Sequence, residues 1–133
     1  MNSYKDLLVW QKSMDVVTDI YKLTQSFPKE EMYGITSQIR RAVVSIPSNI
    51  AEGQARKYNQ QFYHFLAIAN GSIAEVETQL ELCKRLGYVK TDVSNIFESL
   101  DSIGKMISKL QKSILKASEQ QLATNNQQLT TNN

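Results

Sequence analysis

The chain has 133 residues, of which 41% are hydrophobic and 21% charged, and its formal net charge is +2. That length suits one domain and that composition an ordinary globular protein, while so small a net charge excludes a bulk-electrostatic argument for nucleic acid. Cys83 is the only cysteine, which excludes an intramolecular disulfide, and no apolar run reaches the roughly 20 residues of a membrane helix. The start, Met1 to Asp6, lacks a basic segment followed by an apolar one, so no signal peptide is expected and the location expected is cytoplasmic.

Two prolines and five glycines leave room for long regular elements. A first helix is expected from about Lys5 to Gln25, with the stripe Leu7, Trp10, Met14, Val17, Tyr21 and Thr24 alternating steps of three and four. Phe27-Pro28 ends it. A second helix starts near Pro28 to Glu31, where proline and acids suit a helix N-terminus. Its stripe is Met32, Ile35, Ile39, Ala42 or Val43, Ile46, Ile50 and Gly53. Pro47 lies inside, and because the stripe keeps its phase a kink is favoured over a fresh start at Asn49. A third helix runs from about Asn59 to Leu86 with the stripe Phe62, Leu66, Ala69, Ile73, Val76, Leu80 and Cys83. The stripe crosses Asn70-Gly71 in phase, so the helix overrides the turn signal. Ala67, Ala69, Gly71 and Ala74 form a thin-walled stretch that invites close approach by another helix. Gly87 suits a C-terminal cap, and Thr91 or Asp92 can cap a fourth helix with the stripe Val93, Ile96, Leu100, Ile103, Ile107, Leu110 and Ile114.

Short connections make neighbouring helices antiparallel, so the fold expected is all-α, an up-down-up-down four-helix bundle over residues 1–117. Residues 118–133 are a low-complexity Gln/Asn/Thr tail in which QQLATNN is followed by QQLTTNN. With one leucine per repeat it is read as disordered or frayed; the lesser reading is an extension of the fourth helix that orders against a partner.

Three segments, YKDLLVWQKS, FPKEEMYGITSQIRRAVVSIPSNIAEG and FLAIANGSIAEVETQLELCKRLGYV, make the stretch from Tyr4 to Val89 resemble the 23S ribosomal RNA intervening-sequence protein family. Ser13, where alanine is expected, and Ile35, where leucine is usual, are mild departures. The resemblance implies a four-helix protomer and a ring-like homopentamer. Relatives include the accessory subunit of diversity-generating retroelements, which binds a reverse transcriptase and nucleic acid. The family name records gene location and is not an argument for ribosome binding.

No residue pattern calls for catalysis or a cofactor. His64 has no carboxylate at the Glu-x-x-His spacing of di-iron bundles and reads as a surface or interface histidine. Cys83 holds a core stripe position and reads as a buried, inert thiol. Glu75 is expected to face inward and pair with Arg40 or Arg41, and Glu81 with Arg85 at i,i+4.

Charge placement is more informative. Lys105, Lys109, Lys112 and Lys116 are spaced four, three and four, opposite the apolar stripe of the fourth helix. Cations late in a helix also complement its dipole. In the expected topology one end of the bundle collects Lys5, Lys12, Arg56, Lys57, Lys109, Lys112 and Lys116 against Asp6, Glu52 and Glu119, an excess of about +4 against about −1 at the other end. Tyr58 beside Arg56 and Lys57 can stack on a base. The nucleic-acid candidates are therefore Arg56, Lys57, Lys109, Lys112 and Lys116, with Arg40 and Arg41 second. The function expected is a non-enzymatic, oligomeric nucleic-acid-associated protein, an accessory to a reverse transcriptase or other RNA-handling enzyme. The alternative is a protein-interaction scaffold with no nucleic-acid role.

Overall fold

A computed structural model describes residues 3–131, with side chains through Gln128. The last two residues of the tail lie outside them. Among the described residues there are four α-helices and no strand: α1 (Leu8–Thr24), α2 (Ile35–Ala55), α3 (Asn59–Arg85) and α4 (Ser94–Thr131). No helix among them is long and apolar enough to cross a membrane.

The third and fourth stripes pack as the sequence predicts. Leu66, Ala69, Ile73, Val76, Leu80 and Cys83 of α3 are buried, and so are Ile96, Leu100, Ile103, Ile107 and Ile114 of α4. α3 runs through Asn70-Gly71 without a break. It ends in the expected glycine cap: Gly87 has φ 78°, and the Tyr88 N–H donates to the Cys83 carbonyl at 3.0 Å, the bond that closes a Schellman motif. The Asp92 carboxylate accepts from the Ser94 N–H at 2.9 Å at the head of α4.

α1 departs from its predicted phase. Its buried face is Val9, Ser13, Val16, Ile20 and Thr24, while Met14 and Tyr21 are 42% and 40% exposed and Trp10 and Val17 half-buried. Ser13 is tolerated because its Oγ donates to the Val9 carbonyl one turn earlier, at 2.6 Å. α2 also starts later than predicted. Residues Lys29–Glu31 form a separate 3-10 turn, and Gly34, at φ −109° and ψ −121°, interrupts the backbone before Ile35. Pro47 is accommodated within an unbroken α2, so no new helix begins at Asn49. The Asn49 side chain instead donates to the Ser45 carbonyl at 2.8 Å.

Contacts pair the helix ends. Gly53 of late α2 meets Phe62 and Phe65 of early α3. Gln111, at the middle of α4, donates to the Tyr63 carbonyl of early α3 at 3.3 Å. Lys84 of late α3 lies 5.5 Å from the Phe97 ring centroid of early α4, and Arg40 of early α2 donates to Thr24 Oγ1 of late α1 at 2.8 Å. The glycines divide by environment. A Cβ on Gly53 would stand 2.7 Å from Phe65 Cβ, whereas one on Gly71 would meet nothing within 4 Å. Gly53→Ala is therefore expected to cost about 1–3 kcal/mol by overpacking, and Gly71→Ala to gain about 0.5–1 kcal/mol from helix propensity. Paired denaturant melts of the two variants check the opposite signs.

The tail is helical. α4 continues through residues 118–131 rather than becoming irregular, and every residue from Glu119 to Gln128 is exposed.

Candidate nucleic-acid interface

Arg56 and Lys57 sit where α2 stops. Arg56 is its C-cap residue, and Lys57 takes φ 65°, a left-handed conformation that turns the chain toward α3. Tyr58 then caps α3 in an extended conformation and is 70% exposed. The Arg56 guanidinium has two partners: Glu52 Oε1 at 2.9 Å, and the Phe65 ring with its centroid 5.3 Å away. Both members of that ion pair are about half exposed, so the pair adds little to stability but offsets much of the charge of Arg56. Lys57 is exposed, and its backbone N–H donates to the Gln54 carbonyl.

On α4 all four lysines face solvent. Lys105 pairs with Asp101 at 3.0 Å, whereas Lys109, Lys112 and Lys116 form no ion pair among the described residues. Arg56 against Phe65 and Gln111 against Tyr63 tie the end of α2 and the middle turns of α4 to the same first turns of α3. The structure thus brings Arg56 and Lys57 to the end of the bundle that carries Lys109 and Lys112.

Arg40 and Arg41 are not there. Sixteen residues of helix separate Arg40 from Arg56, roughly 24 Å at about 1.5 Å per residue. Arg40 is half-buried, bonded to Thr24 and stacked with its guanidinium 4.7 Å from the Tyr21 ring centroid. Arg41 is exposed, and so is Glu75. The predicted inward Glu75–arginine pair therefore does not form: the phase of α3 turns Glu75 outward, and Arg40 finds its partners on α1. Lys12 also leaves the basic group, since it lines a groove between α1 and α4 with Asp15, Asp19 and Glu98. Glu81 does meet Arg85, at 3.4 Å, and Lys84 at 3.8 Å.

A groove of about 490 Å³ between α3 and α4 was not foreseen. Ile73 and Leu100 line it, Ala74, Gly104 and Ser108 keep it wide, and Lys105, Lys109 and Lys112 stand along it with Glu77 and Asp101. The stretch read as a site of close helix approach divides: Ala69 is buried and the neighbouring Ser72 hydroxyl lies 2.9 Å from that of Ser45 on α2, whereas Gly71 is open to solvent and Ala74 lies on the groove. The sequence signal was the pair Gly104 and Ser108, four apart on α4, facing Asn70 and Ala74, four apart on α3.

His64 is exposed, with its ring 5.8 Å from that of Phe65. Among the described residues no group of three His, Cys, Asp or Glu side chains converges on one point. Burial, reinforced by the nearby Glu31 carboxylate, pushes the Cys83 thiol up to about 11. The folded thiol holds its proton where an unfolded one would lose it, so the fold loses stability as pH rises from the ordinary thiol range toward that value. At pH 8 Cys83 is expected to resist a thiol-specific disulfide reagent until denaturant is added. Rapid labelling of the native protein would contradict the buried placement.

The family described as 23S rRNA-intervening sequence protein matches residues 5–109. Among curated proteins none matches the chain. A solved structure, that of a protein with unknown function from the S23 ribosomal protein family of Bacteroides thetaiotaomicron, is similar at 26% identity. The match covers 83% of this chain and 97% of that one, with a TM-score of 0.55.

Proposed function

This chain belongs to the 23S rRNA-intervening sequence protein family, and from that premise we propose that it is a non-enzymatic, self-assembling cytoplasmic protein that holds nucleic acid at one end of its bundle. The observation that carries the reading is the stripe Lys109, Lys112 and Lys116: exposed, on one helix face and not ion-paired among the described residues. Mobile unpaired lysines suit phosphate contacts, which position a nucleic acid without reading its bases. Lys57 and the exposed ring of Tyr58 extend the same end of the bundle.

In this reading the bundle is up-down-up-down, and several copies form a ring, five by the family resemblance, so that the basic ends add on one face. Two apolar surfaces support self-association. One lies between α1 and α2, lined by Trp10, Met14, Val17 and Val44. The other lies between α1 and α4, lined by Leu8, Met106 and Leu110. Two different surfaces on one protomer suit a head-to-tail contact that closes as a ring. The partner class that fits is a reverse transcriptase or another RNA-handling enzyme. A second reading, a protein-interaction scaffold, is favoured by the same apolar surfaces and by the ion pairs that offset Arg56 and Lys105.

The test is retention of single- and double-stranded RNA and DNA as a function of salt. The nucleic-acid reading expects little sequence preference and a slope of log affinity against log salt of between about −2 and −3 per copy for three phosphate contacts. No retention at low salt sinks it and leaves the scaffold.

A further inference from the structure

The last buried residue of α4 is Ile114, yet the helix continues to Thr131. It therefore extends roughly 25 Å past its last core contact at about 1.5 Å per residue. Such a segment is a poor helix by itself. Its Asn and Thr residues have low helix propensity, and a stretch of this length is marginal in water without a packing partner. Its hydrogen bonds from Gln121 to Asn125 and from Thr124 to the Gln120 carbonyl stay within the helix.

The tandem repeat has a period of seven, and Leu115, Leu122 and Leu129 fall seven apart. Leu115 and Leu122 are 48% and 63% exposed, and Leu129 holds the same register. Seven residues are close to two helical turns, so the leucines share one face, and a strict repeat of seven drives helices into a left-handed supercoil. Four residues before each of the last two leucines, or three after the first two, the register holds Ser118 and Asn125. In a coiled coil these would alternate with leucine as polar seam residues, which fix register at a cost in stability.

We propose that the extension of α4 is a self-association helix, whose leucine face packs in parallel against the same face of neighbouring copies. Two features select a second copy as the occupant. A stripe with this period is complementary to itself in register, and from Gln120 onward the segment carries no charge, so identical helices meet without like-charge opposition. Lys116, one residue after Leu115, stays off the seam. The parallel orientation rests on the ring reading, because copies around one rotation axis share the direction of any helix that runs along that axis. One leucine per heptad gives a weak contact, so the extension reinforces an assembly that the bundles hold together and raise in local concentration.

The full-length Leu122→Cys variant tests this directly, because Cys83 is buried and a disulfide needs Cα atoms within about 4.4–6.8 Å. Under mild oxidation it is expected to form linked dimers at least about tenfold faster than Thr124→Cys, whose position is off the seam. Equal rates for the two variants overturn the proposal, even if light scattering shows a stable ring. Preferential linking in a protein that light scattering finds monomeric at low concentration supports the proposal and removes the ring. As a second measure, Leu122→Glu, which leaves the bundle core untouched, is expected to raise the concentration at which the assembly dissociates by about tenfold. An unchanged dissociation concentration overturns the reinforcing role.

Discussion

Leu80→Ala or Leu100→Ala is expected to cost the fold about 2–5 kcal/mol, the range for emptying a close-packed core site. Both side chains are fully buried. Leu80 lies one turn of α3 before Cys83, and Leu100 stands between Ile96 and Ile103 on α4. Met14→Ala is the informative control. It lies on the predicted stripe of α1 but is 42% exposed, so the loss expected in an isolated protomer is within about 0.5 kcal/mol. Urea midpoints of all variants, each measured at the same series of protein concentrations, decide the matter. A loss at Met14 comparable with that at Leu80, growing with protein concentration, would mean that its face is buried between copies. A small loss at Leu80 would show that the α3 stripe packs less tightly than its burial indicates.

That contrast marks how far the sequence could be read. Within the bundle α3 and α4 each carry one dominant apolar stripe, and both appear in the phase predicted. α1 carries two stripes one or two residues apart. One holds Trp10, Met14 and Tyr21; the other holds Val9, Val16 and Ile20 but is interrupted by Ser13, and the predicted Thr24, buried as expected, lies where the two meet. Hydrophobicity favours the first. The bundle buries the second, because slender β-branched residues fit between helices and both hydroxyls bond to carbonyls one turn back, Ser13 to Val9 and Thr24 to Ile20. The start of α2 was missed for a local reason. Pro28, Glu30 and Glu31 are good first-turn residues, but only a 3-10 turn forms there before Gly34 interrupts it. Among the charged residues, the lysine spacing on α4 was legible because it follows one helix. The partners of Arg40 were not, since Tyr21 and Thr24 lie on another helix whose phase had been misread. The groove between α3 and α4 is likewise a property of two facing helices, and no single stripe reveals it.

Reversing Lys112 and Lys116 to glutamate is expected to abolish nucleic-acid retention while leaving the bundle folded. Both side chains are exposed on the face of α4 opposite its buried stripe, and exposed surface substitutions typically move stability by no more than about 0.5 kcal/mol. The change swings the charge of each protomer by four, and in a ring every copy contributes to the same face. Each reversal removes an attraction for phosphate and adds a repulsion, so the combined effect exceeds that of the neutral Lys112→Gln, Lys116→Gln pair. The pair Arg40→Glu, Arg41→Glu lies roughly 24 Å from Arg56 along α2 and is expected to leave retention nearly intact. Its stability is expected to fall, because Arg40 holds Thr24 and Tyr21 of α1. Retention should be followed with circular dichroism on the same samples, so that a lost fold is not mistaken for a lost site. If the lysine reversal binds as well as wild type, the stripe serves the helix dipole at the C-terminal half of α4 and solubility, and the apolar grooves become the place to look for a partner.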